Sequence, residues 1–514
     1  MKNNTGNNHI AAVSAVIAAV LSGISFYTDR FMFIFPDKGD SRYAMALTDY
    51  CICKVLAFAV LFAAAYAVIM LILSKDEGRE GIAGVVKCAL PYLPVVMAVI
   101  AIKLPAGFVT NDEYAICESA SNLVHDTWFN YMTVYYYIVS FMILPFKYSP
   151  VLLKAVIQLI TAGYCVYRSK EYFGKKSGAF MYILFILYPV VAYTVSAHRL
   201  PIYFLLYLLL FTKMTFDLLE KKDISGRNLF AVLVAGAILT QWRSEGIYML
   251  ALLPILLFIV YPRFRTKKAG VCLVVAYLLI QYAISIPQNG AFPIGIGGAA
   301  NDRMKPFYAY TITNMFRNGL DTDKNAEDLA KIDEYIALSS FDDINEYYGD
   351  INYEDVFILY KEEFGGVRED ADYTQYWEFS ESCKRIFKNN IDVFLRTRWG
   401  AFCYAAMPYH ITYTGSGPRE LVSFAVSVVK TVTYCLFIPV AFAVFLLIYS
   451  LIKRRWFAFF TFGGVAAHWF LVFVLAPASY FKYYFPVYIM AYFFLIFMLI
   501  RRFGAKDKGD NSLV

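Results

Sequence analysis

Residues 88–104 read Cys-Ala-Leu-Pro-Tyr-Leu-Pro-Val-Val-Met-Ala-Val-Ile-Ala-Ile-Lys-Leu, and residues 110–114 read Thr-Asn-Asp-Glu-Tyr. The first run is long enough to cross about 30 Å of bilayer hydrocarbon as a helix, which takes roughly 17–25 apolar residues. The adjacent carboxylates Asp112 and Glu113 follow the end of this run, and ionisable groups at such places are costly and usually functional. The stretch therefore predicts both a membrane protein and the position of its functional site.

The rest of the chain repeats the apolar pattern. Hydrophobic residues make up 59% of the 514 residues and aromatic residues 18%, whereas a soluble chain has roughly 45–50% apolar residues. We predict an all-α polytopic membrane protein with about 12 transmembrane helices. The expected spans are 9–27, 51–73, 88–104, 151–167, 178–197, 200–216, 229–243, 246–261, 270–287, 422–450, 456–476 and 480–500.

Basic residues predict the orientation of these spans, because cytoplasmic loops are enriched in Lys and Arg. Both termini are expected in the cytoplasm of a multi-pass cell-membrane protein, and the loops around 149–150, 198–199 and 242–245 are expected outside. The basic charges lie at membrane edges, so nucleic acid is not an expected partner. The basic clusters lie at 168–176, 221–227, 263–268, 453–455 and 501–502.

The segment 288–421 differs in charge from the rest of the chain. It holds 22 acidic and 13 basic residues, whereas the remainder holds 18 acidic and 34 basic residues. We predict a mainly helical extracytoplasmic domain here. The expected blocks are three spans in 1–104, an outward loop in 105–150, six spans in 151–287, the domain 288–421, three spans in 422–500 and a cytoplasmic tail in 501–514.

The apolar run Trp128–Pro145 has two interpretations. If it crosses the membrane, Asp112 and Glu113 lie on the cytoplasmic side, because the downstream basic loops place Pro150 outside. If it lies in the interface or re-enters, the whole of 105–150 is one outward loop. Its many Trp and Tyr side chains are typical of the membrane–water boundary.

Asp112 and Glu113 form the candidate catalytic site. Two adjacent carboxylates outside the bilayer can hold a catalytic proton or a metal ion. The residues identify no cofactor, and a divalent metal at this pair is compatible with the sequence. The structural alternative is a solvated helix start in which Asn111 or Asp112 is the N-cap.

This layout resembles the GT-C superfamily of membrane glycosyltransferases, which use polyprenyl-phosphate sugars. The resemblance lies in the outward Asp-Glu-Tyr loop, the aromatic run after it, the many spans and the late soluble domain. It implies a bacterial-type inner-membrane enzyme in which Asp112 is the general base on the acceptor and Glu113 is its partner. His125 corresponds to the histidine of the family's His-Pro-Pro motif, although both prolines are missing here.

Three outward positions could meet the donor phosphate. Arg243 lies at a turn between spans, where its guanidinium can bind phosphate, pair with Glu245 or reach lipid headgroups. His198-Arg199 is a weaker candidate of the same kind. Tyr480 and Lys482 begin the last span, where the resemblance implies a cation at the donor phosphate and the alternative is simple interfacial anchoring.

Other features have structural interpretations. The acidic run 341–346 lacks the glycine and spacing of a calcium loop and is expected on a solvated helix edge. Arg396 and Arg398 are expected to place the outer domain on lipid headgroups. Of the nine cysteines, Cys117, Cys383 and Cys403 are expected on outward segments, where one disulfide is compatible with their placement.

We therefore predict a glycosyltransferase that moves a sugar from a polyprenyl-phosphate donor to a glycan, lipid or protein acceptor outside the membrane, in contact with membrane lipid. One alternative is an O-antigen-type polymerase or ligase, which would rely on outward arginines instead of Asp112. A second is a non-enzymatic lipid or polysaccharide transporter, which would need charges deep within spans. Few such charges are evident, among them Lys154, Lys213 and Lys430.

Overall fold

A computed structural model describes residues 2–73, 77–124, 129–291, 296–341, 367–368, 371–412, 415 and 417–504. All regular structure in these residues is helical, and a single isolated bridge joins Ile336 to Val367. Nine of the described helices are long and apolar enough to cross a membrane, which confirms a helical polytopic membrane protein. They are Asn8–Asp29, Tyr43–Ile72, Glu80–Lys103, Ser149–Phe173, Arg199–Glu220, Lys267–Pro287, Pro418–Ile452, Trp456–Leu475 and Phe481–Phe503.

The remaining three expected spans are shorter or broken helices. The span expected at 178–197 is the pair Lys175–Ile186 and Tyr188–Val195, which meet at a 65° bend. Pro189 follows this bend, and a proline has no N–H with which to continue the helix. The spans expected at 229–243 and 246–261 correspond to helices of 17 and 12 residues, Gly226–Trp242 and Met249–Val260.

The chain divides into two compact units. Unit 1 comprises Met1–Ala291, Leu446–Gly464 and Ile489–Val514, and unit 2 comprises Phe292–Phe445 and Val465–Tyr488.

Unit 1 contains both peripheral and central helices. Only 17% of the apolar window in Tyr43–Ile72 is buried inside the protein, whereas 78% of the window in Arg199–Glu220 is buried. Exposed side chains on an apolar helix are suited to lipid contact. The helices before residue 292 are Lys2–Asp29, Tyr43–Leu73, Glu77–Ala89, Leu93–Lys103, Asn111–Ser121, Tyr131–Ile143, Ser149–Phe173, Lys175–Gly178, Tyr182–Ile186, Tyr188–Ala192, Arg199–Glu220, Gly226–Trp242, Met249–Val260 and Lys267–Ala291.

The helix Tyr131–Ile143 forms from the ambiguous run. Its 13 residues reach about 20 Å, which is less than the roughly 30 Å of a bilayer core. Eleven of the 13 side chains are buried, and the helix packs on Tyr43–Leu73, Asn111–Ser121 and Ser149–Phe173. It is a short internal helix of unit 1, so its tyrosines mostly contact protein.

Unit 2 has an aromatic core of its own. Ring contacts join Tyr308, Phe379 and Phe387 in this core, with Phe387 also packing on Phe394. The described part of the predicted domain 288–421 is therefore helical. Its helices are Ile296–Arg317, Ala326–Asp333, Tyr373–Asn389 and Ile391–Ala406, and Pro418–Thr433, Phe437–Ile452, Trp456–Leu475 and Phe485–Gly504 complete the described chain.

Candidate functional site

The helix Asn111–Ser121 begins with a capping box. Thr110 is the N-cap, and its hydroxyl accepts a hydrogen bond from the Glu113 N–H at 3.3 Å. The Glu113 Oε2 atom in turn accepts from the Thr110 N–H at 2.9 Å. The pattern Thr-x-x-Glu is the sequence signature of this arrangement. The alternative that made Asn111 or Asp112 the N-cap is therefore wrong, because the N-cap is Thr110, one residue before Asn111 and two before Asp112.

Glu113 also holds a second loop. Its Oε1 atom accepts hydrogen bonds from the Ala197 N–H, from the His198 N–H at 3.0 Å and from the Ser196 hydroxyl at 3.3 Å. The side chain is fully buried. Burial raises the pKa of the Glu113 carboxyl, and the N–H donors act against that rise. Both carboxylate oxygens are thus occupied by donors that join residues 109–113 to 196–198.

Asp112 is placed differently from its neighbour. Its side chain is 36% exposed, and its Oδ2 atom lies 2.8 Å from Nε2 of His198. The Leu200 N–H donates to the His198 Nδ1 atom at 3.4 Å. His198 Nδ1 therefore accepts a hydrogen bond, and Nε2 is the ring atom that lies next to the Asp112 carboxylate. The site therefore contains an Asp–His pair with an accessible carboxylate.

His198 was predicted only as a companion of Arg199 at a phosphate site. It is buried, and it is the N-cap of the helix Arg199–Glu220. The Phe129 ring packs edge-on against the His198 ring at 6.5 Å, and the Arg199 guanidinium lies 5.1 Å from the Phe129 centroid. The sequence signal for His198 was its place at a helix start outside a span, as for Asp112. Its pairing with Asp112 depends on tertiary structure.

Arg243 forms an ion pair in a tight turn. Its Nε atom lies 3.2 Å from Glu245 Oε2, and its terminal nitrogen lies 2.6 Å from Oε1. Arg243 is buried. An added Cβ on Gly246 would lie 2.0 Å from the Leu239 carbonyl oxygen, so this turn requires glycine. Of the interpretations given for Arg243, the pairing with Glu245 is seen, and phosphate binding stays a prediction.

Tyr480 and Lys482 belong to unit 2, whereas Asp112 and Arg243 belong to unit 1. The Lys482 amine lies 4.9 Å from the Tyr480 ring centroid and 5.7 Å from that of Tyr483, which are cation–π distances. The 3₁₀ turn Phe481–Tyr484 carries Lys482. His125 and residues 342–346 lie outside the described residues.

Arg398 does not face headgroups. It is buried, and its guanidinium donates to the carbonyl oxygens of Phe473 at 2.6 Å and Ala476 at 3.0 Å. These carbonyls end the helix Trp456–Leu475, so Arg398 caps the negative end of that helix. The headgroup prediction is wrong for Arg398, whereas Arg396 is exposed and its contact with headgroups stays a prediction.

Several charged or polar side chains are buried within candidate spans. The Lys154 amine donates to the Tyr193 carbonyl oxygen and to the Gln158 side chain, and Gln158 donates to Tyr92 and Thr194 at 2.9 Å. These contacts join helices across unit 1.

A second buried network joins the first helices of unit 1 and was missed from the sequence. Lys54 pairs with Asp29 at 2.5 Å, and the Tyr135 hydroxyl donates to Asp49 at 2.5 Å. The available signal was Lys54, a cation inside an apolar run.

Among the described residues, no group of three or more His, Cys, Asp or Glu side chains is arranged to hold a metal. Asp112 and His198 supply two such side chains, and the Glu113 oxygens are occupied by N–H and hydroxyl donors. All nine cysteines are free thiols. Comparison of the chain with protein-family models, with curated proteins and with solved structures finds no match. The function proposed below therefore rests on the residues and contacts of the chain itself.

Proposed function

We propose that the protein is a GT-C-type membrane glycosyltransferase that uses a polyprenyl-phosphate sugar and has Asp112 as its general base. The observation that carries this proposal is the contrast between two adjacent acids. Glu113 is buried and fixes two loops, whereas Asp112 is accessible and is held 2.8 Å from His198. A base needs access to the proton it removes and a fixed orientation, and Asp112 has both.

The chemistry needs a single base. The Asp112 carboxylate accepts the proton of an acceptor hydroxyl as the hydroxyl oxygen attacks the anomeric carbon of the donor. The bond between that carbon and the phosphate oxygen breaks, and the polyprenyl phosphate leaves with the bonding electron pair. Phosphate is a good leaving group, so no general acid is required. The His198 Nε2 atom lies 2.8 Å from this carboxylate, so His198 is proposed as the residue that positions it.

Two cations of unit 1, Arg199 and Arg243, are proposed for the lipid phosphate. The Arg199 guanidinium can bind a phosphate through two parallel N–H groups. Arg243 can do so only when its guanidinium exchanges the Glu245 carboxylate for the phosphate, since both groups compete for the same fork. This exchange would couple donor binding to the turn that carries Gly246.

The proposed topology places this site outside the cytoplasm. Since Tyr131–Ile143 has 13 residues and 11 of them are buried within unit 1, we infer that it does not cross and that residues 104–149 begin and end on one side of the membrane. The hydrogen bonds from Glu113 join residues 109–113 to residues 196–198, a loop that the basic clusters assign to the outside. Both observations support an outward site with cytoplasmic termini.

Single cysteines test the topology. In a background without native outward cysteines, Asn111→Cys and Glu378→Cys are expected to react with an impermeant thiol reagent in intact cells. Lys453→Cys is the matched control and is expected to react only after permeabilisation. Protection of Asn111→Cys with labelling of Glu378→Cys would place Asp112 in the cytoplasm and remove the proposed mechanism.

A transporter is the second candidate, and the buried Lys154–Gln158 network favours it, because polar groups inside spans often mark transport paths. Reconstitution in proteoliposomes with a polyprenyl-phosphate hexose separates the two. An enzyme releases polyprenyl phosphate and requires Asp112. A transporter moves the intact lipid-linked sugar and tolerates Asp112→Asn but not Lys154→Met. Release of phosphate lipid that is insensitive to Asp112→Asn would reject our proposal.

A further inference from the structure

A groove of about 430 Å³ lies beside the candidate site, between residues 34–42 and the helix Asn111–Ser121. All of its lining residues belong to unit 1. Ile34 and Phe35 form an apolar wall, and Glu118, Ser119 and Asn122 form a polar wall. Its volume is in the range of about 300–1,000 Å³ that is usual for small-ligand sites.

The walls of the groove are held in place by contacts outside it. The Ile34 N–H donates to the Ser121 carbonyl oxygen at 2.8 Å, which ties one wall to the end of the other. The Phe35 ring packs against Tyr50 with 5.2 Å between centroids. Arg42, at the rim, is held by Asp40 at 2.6 Å. The groove is therefore formed before any ligand binds.

The lining matches a neutral polyhydroxyl ligand. Arg42 donates, the exposed Glu118 carboxylate accepts, and Ser119 and Asn122 can do both. Sugar hydroxyls both donate and accept, and the partly exposed Phe35 ring offers an apolar surface for the carbon face of a sugar. Arg42 and Glu118 are the charged residues of the lining, and Asp40 pairs with Arg42, so the groove offers no uncompensated cation for an anionic ligand.

Asp112 lies on the same helix as the polar wall of the groove. Asp112, Ala115 and Ser119 are spaced by three and seven residues, which places them on one side of the helix Asn111–Ser121. Ser119 lies about 10 Å along the helix axis from Asp112. A ligand that fills the groove and continues along this side brings its end to the Asp112 carboxylate.

We propose that this groove binds the acceptor as a neutral glycan of more than one sugar ring, with its terminal hydroxyl at Asp112. This inference rests on the proposed glycosyltransferase function and adds to it the class of acceptor. A glycan is preferred over a lipid or a protein because the groove is short, is mixed in polarity and has no uncompensated cation for a lipid phosphate.

The experiment measures the binding of glycans and the binding of a donor lipid to the same purified protein in nanodiscs. The glycan probes are maltotetraose, cellotetraose and chitotetraose, detected by saturation-transfer NMR, and the donor probe is a polyprenyl monophosphate. Ser119→Trp is expected to abolish glycan binding by filling the groove. Glu118→Gln is expected to weaken it about tenfold through loss of a charged acceptor. Glu378→Gln, the same change on an exposed helix of unit 2, is expected to leave it unchanged.

The outcomes separate the two proposals. If the donor probe binds and none of the glycans does, the groove proposal fails and the glycosyltransferase proposal stands. If glycans bind with the expected sensitivity and the donor probe does not, the groove is a glycan site and the donor proposal fails. Glycan binding that is unchanged in both groove variants would overturn the groove assignment. Release of co-purified phospholipid by Ser119→Trp would also overturn it, because the groove would then hold a lipid.

Discussion

Two charged pairs lie beside the first turns of the helix Arg199–Glu220, and they differ in how much of the charged side chain stays accessible. At the Asp112–His198 pair, 36% of the Asp112 side chain is exposed, and its partner is the single Nε2 atom of a buried histidine. At the Arg243–Glu245 pair, the Arg243 side chain is 3% exposed and its guanidinium is bound by the Glu245 carboxylate. A charged residue at the end of a span is thus available for chemistry only where its partner does not saturate it.

Replacing Asp112 gives the largest expected effect. Asp112→Asn keeps the shape of the side chain and the contact with His198 but cannot take a proton, so the transfer rate should fall by roughly 10²–10⁴. The measurement is sugar transfer from a polyprenyl-phosphate donor in proteoliposomes at matched protein insertion. Near wild-type transfer by this variant would remove the general-base mechanism from the chain.

Replacing Arg243 tests whether its guanidinium exchanges the Glu245 carboxylate for the phosphate of the donor. If the guanidinium binds the lipid phosphate, Arg243→Ala should raise the donor KM by roughly 10- to 150-fold, the value of a charge-assisted contact. Arg243→Lys should not restore it, because an ammonium cannot form the fork. Glu245→Gln should lower the donor KM by releasing the guanidinium.

The matched control is Arg396→Ala, since Arg396 is exposed and is 3.8 Å from Asp392. It should change neither the donor KM nor the amount of folded protein. An Arg243→Ala variant with less folded protein and an unchanged donor KM would make the Arg243–Glu245 pair purely structural.

Replacing Glu113 should act on stability more than on catalysis. Glu113→Gln places an amide NH₂ against N–H donors, and the unfolding free energy should fall by about 1–3 kcal/mol. The measurement is thermal unfolding, with transfer rates expressed per folded protein. A wild-type Tm together with a rate loss as large as that of Asp112→Asn would show that both acids serve the reaction.

The pH dependence of stability gives the smallest effect. Burial raises the pKa of Glu113 above the 4.5 of an ordinary glutamate. The stability that this group contributes is then fully present below about pH 4.5 and is lost as pH rises through the folded-state pKa. The Tm of the wild type relative to Glu113→Gln should therefore rise from about pH 8 to about pH 5. A fall would mean that the hydrogen bonds dominate and lower the pKa.

The positions of the spans were predictable because hydropathy is a local property. The expected span 151–167 lies within Ser149–Phe173, and 51–73 matches Tyr43–Ile72 except at its start, since helices continue past the hydrocarbon. The break inside the expected span 178–197 could have been anticipated from Pro189. The length of Tyr131–Ile143 could not, because its ends depend on the packing around it.

The site was predictable only in part. Thr110-x-x-Glu113 is a local signature, so the capping role of Glu113 was readable before the structure. The bonds from Glu113 to 196–198 and the pairing of Asp112 with His198 join residues far apart in the chain, which no local pattern encodes. Arg398 was misread for the same reason, since its carbonyl partners belong to another helix.

In the proposed topology, the shortness of the helix Tyr131–Ile143 decides whether the number of membrane crossings before residue 149 is odd or even. This helix is apolar enough to partition into a bilayer and about seven residues short of the roughly 20 needed to cross one. Lengthening it by two helical turns of leucine would add one crossing and reverse the direction of every later helix. In the proposed topology, the basic clusters after it would then be driven to the wrong side of the membrane. The proposed orientation of most of the protein therefore depends on the shortness of one internal helix.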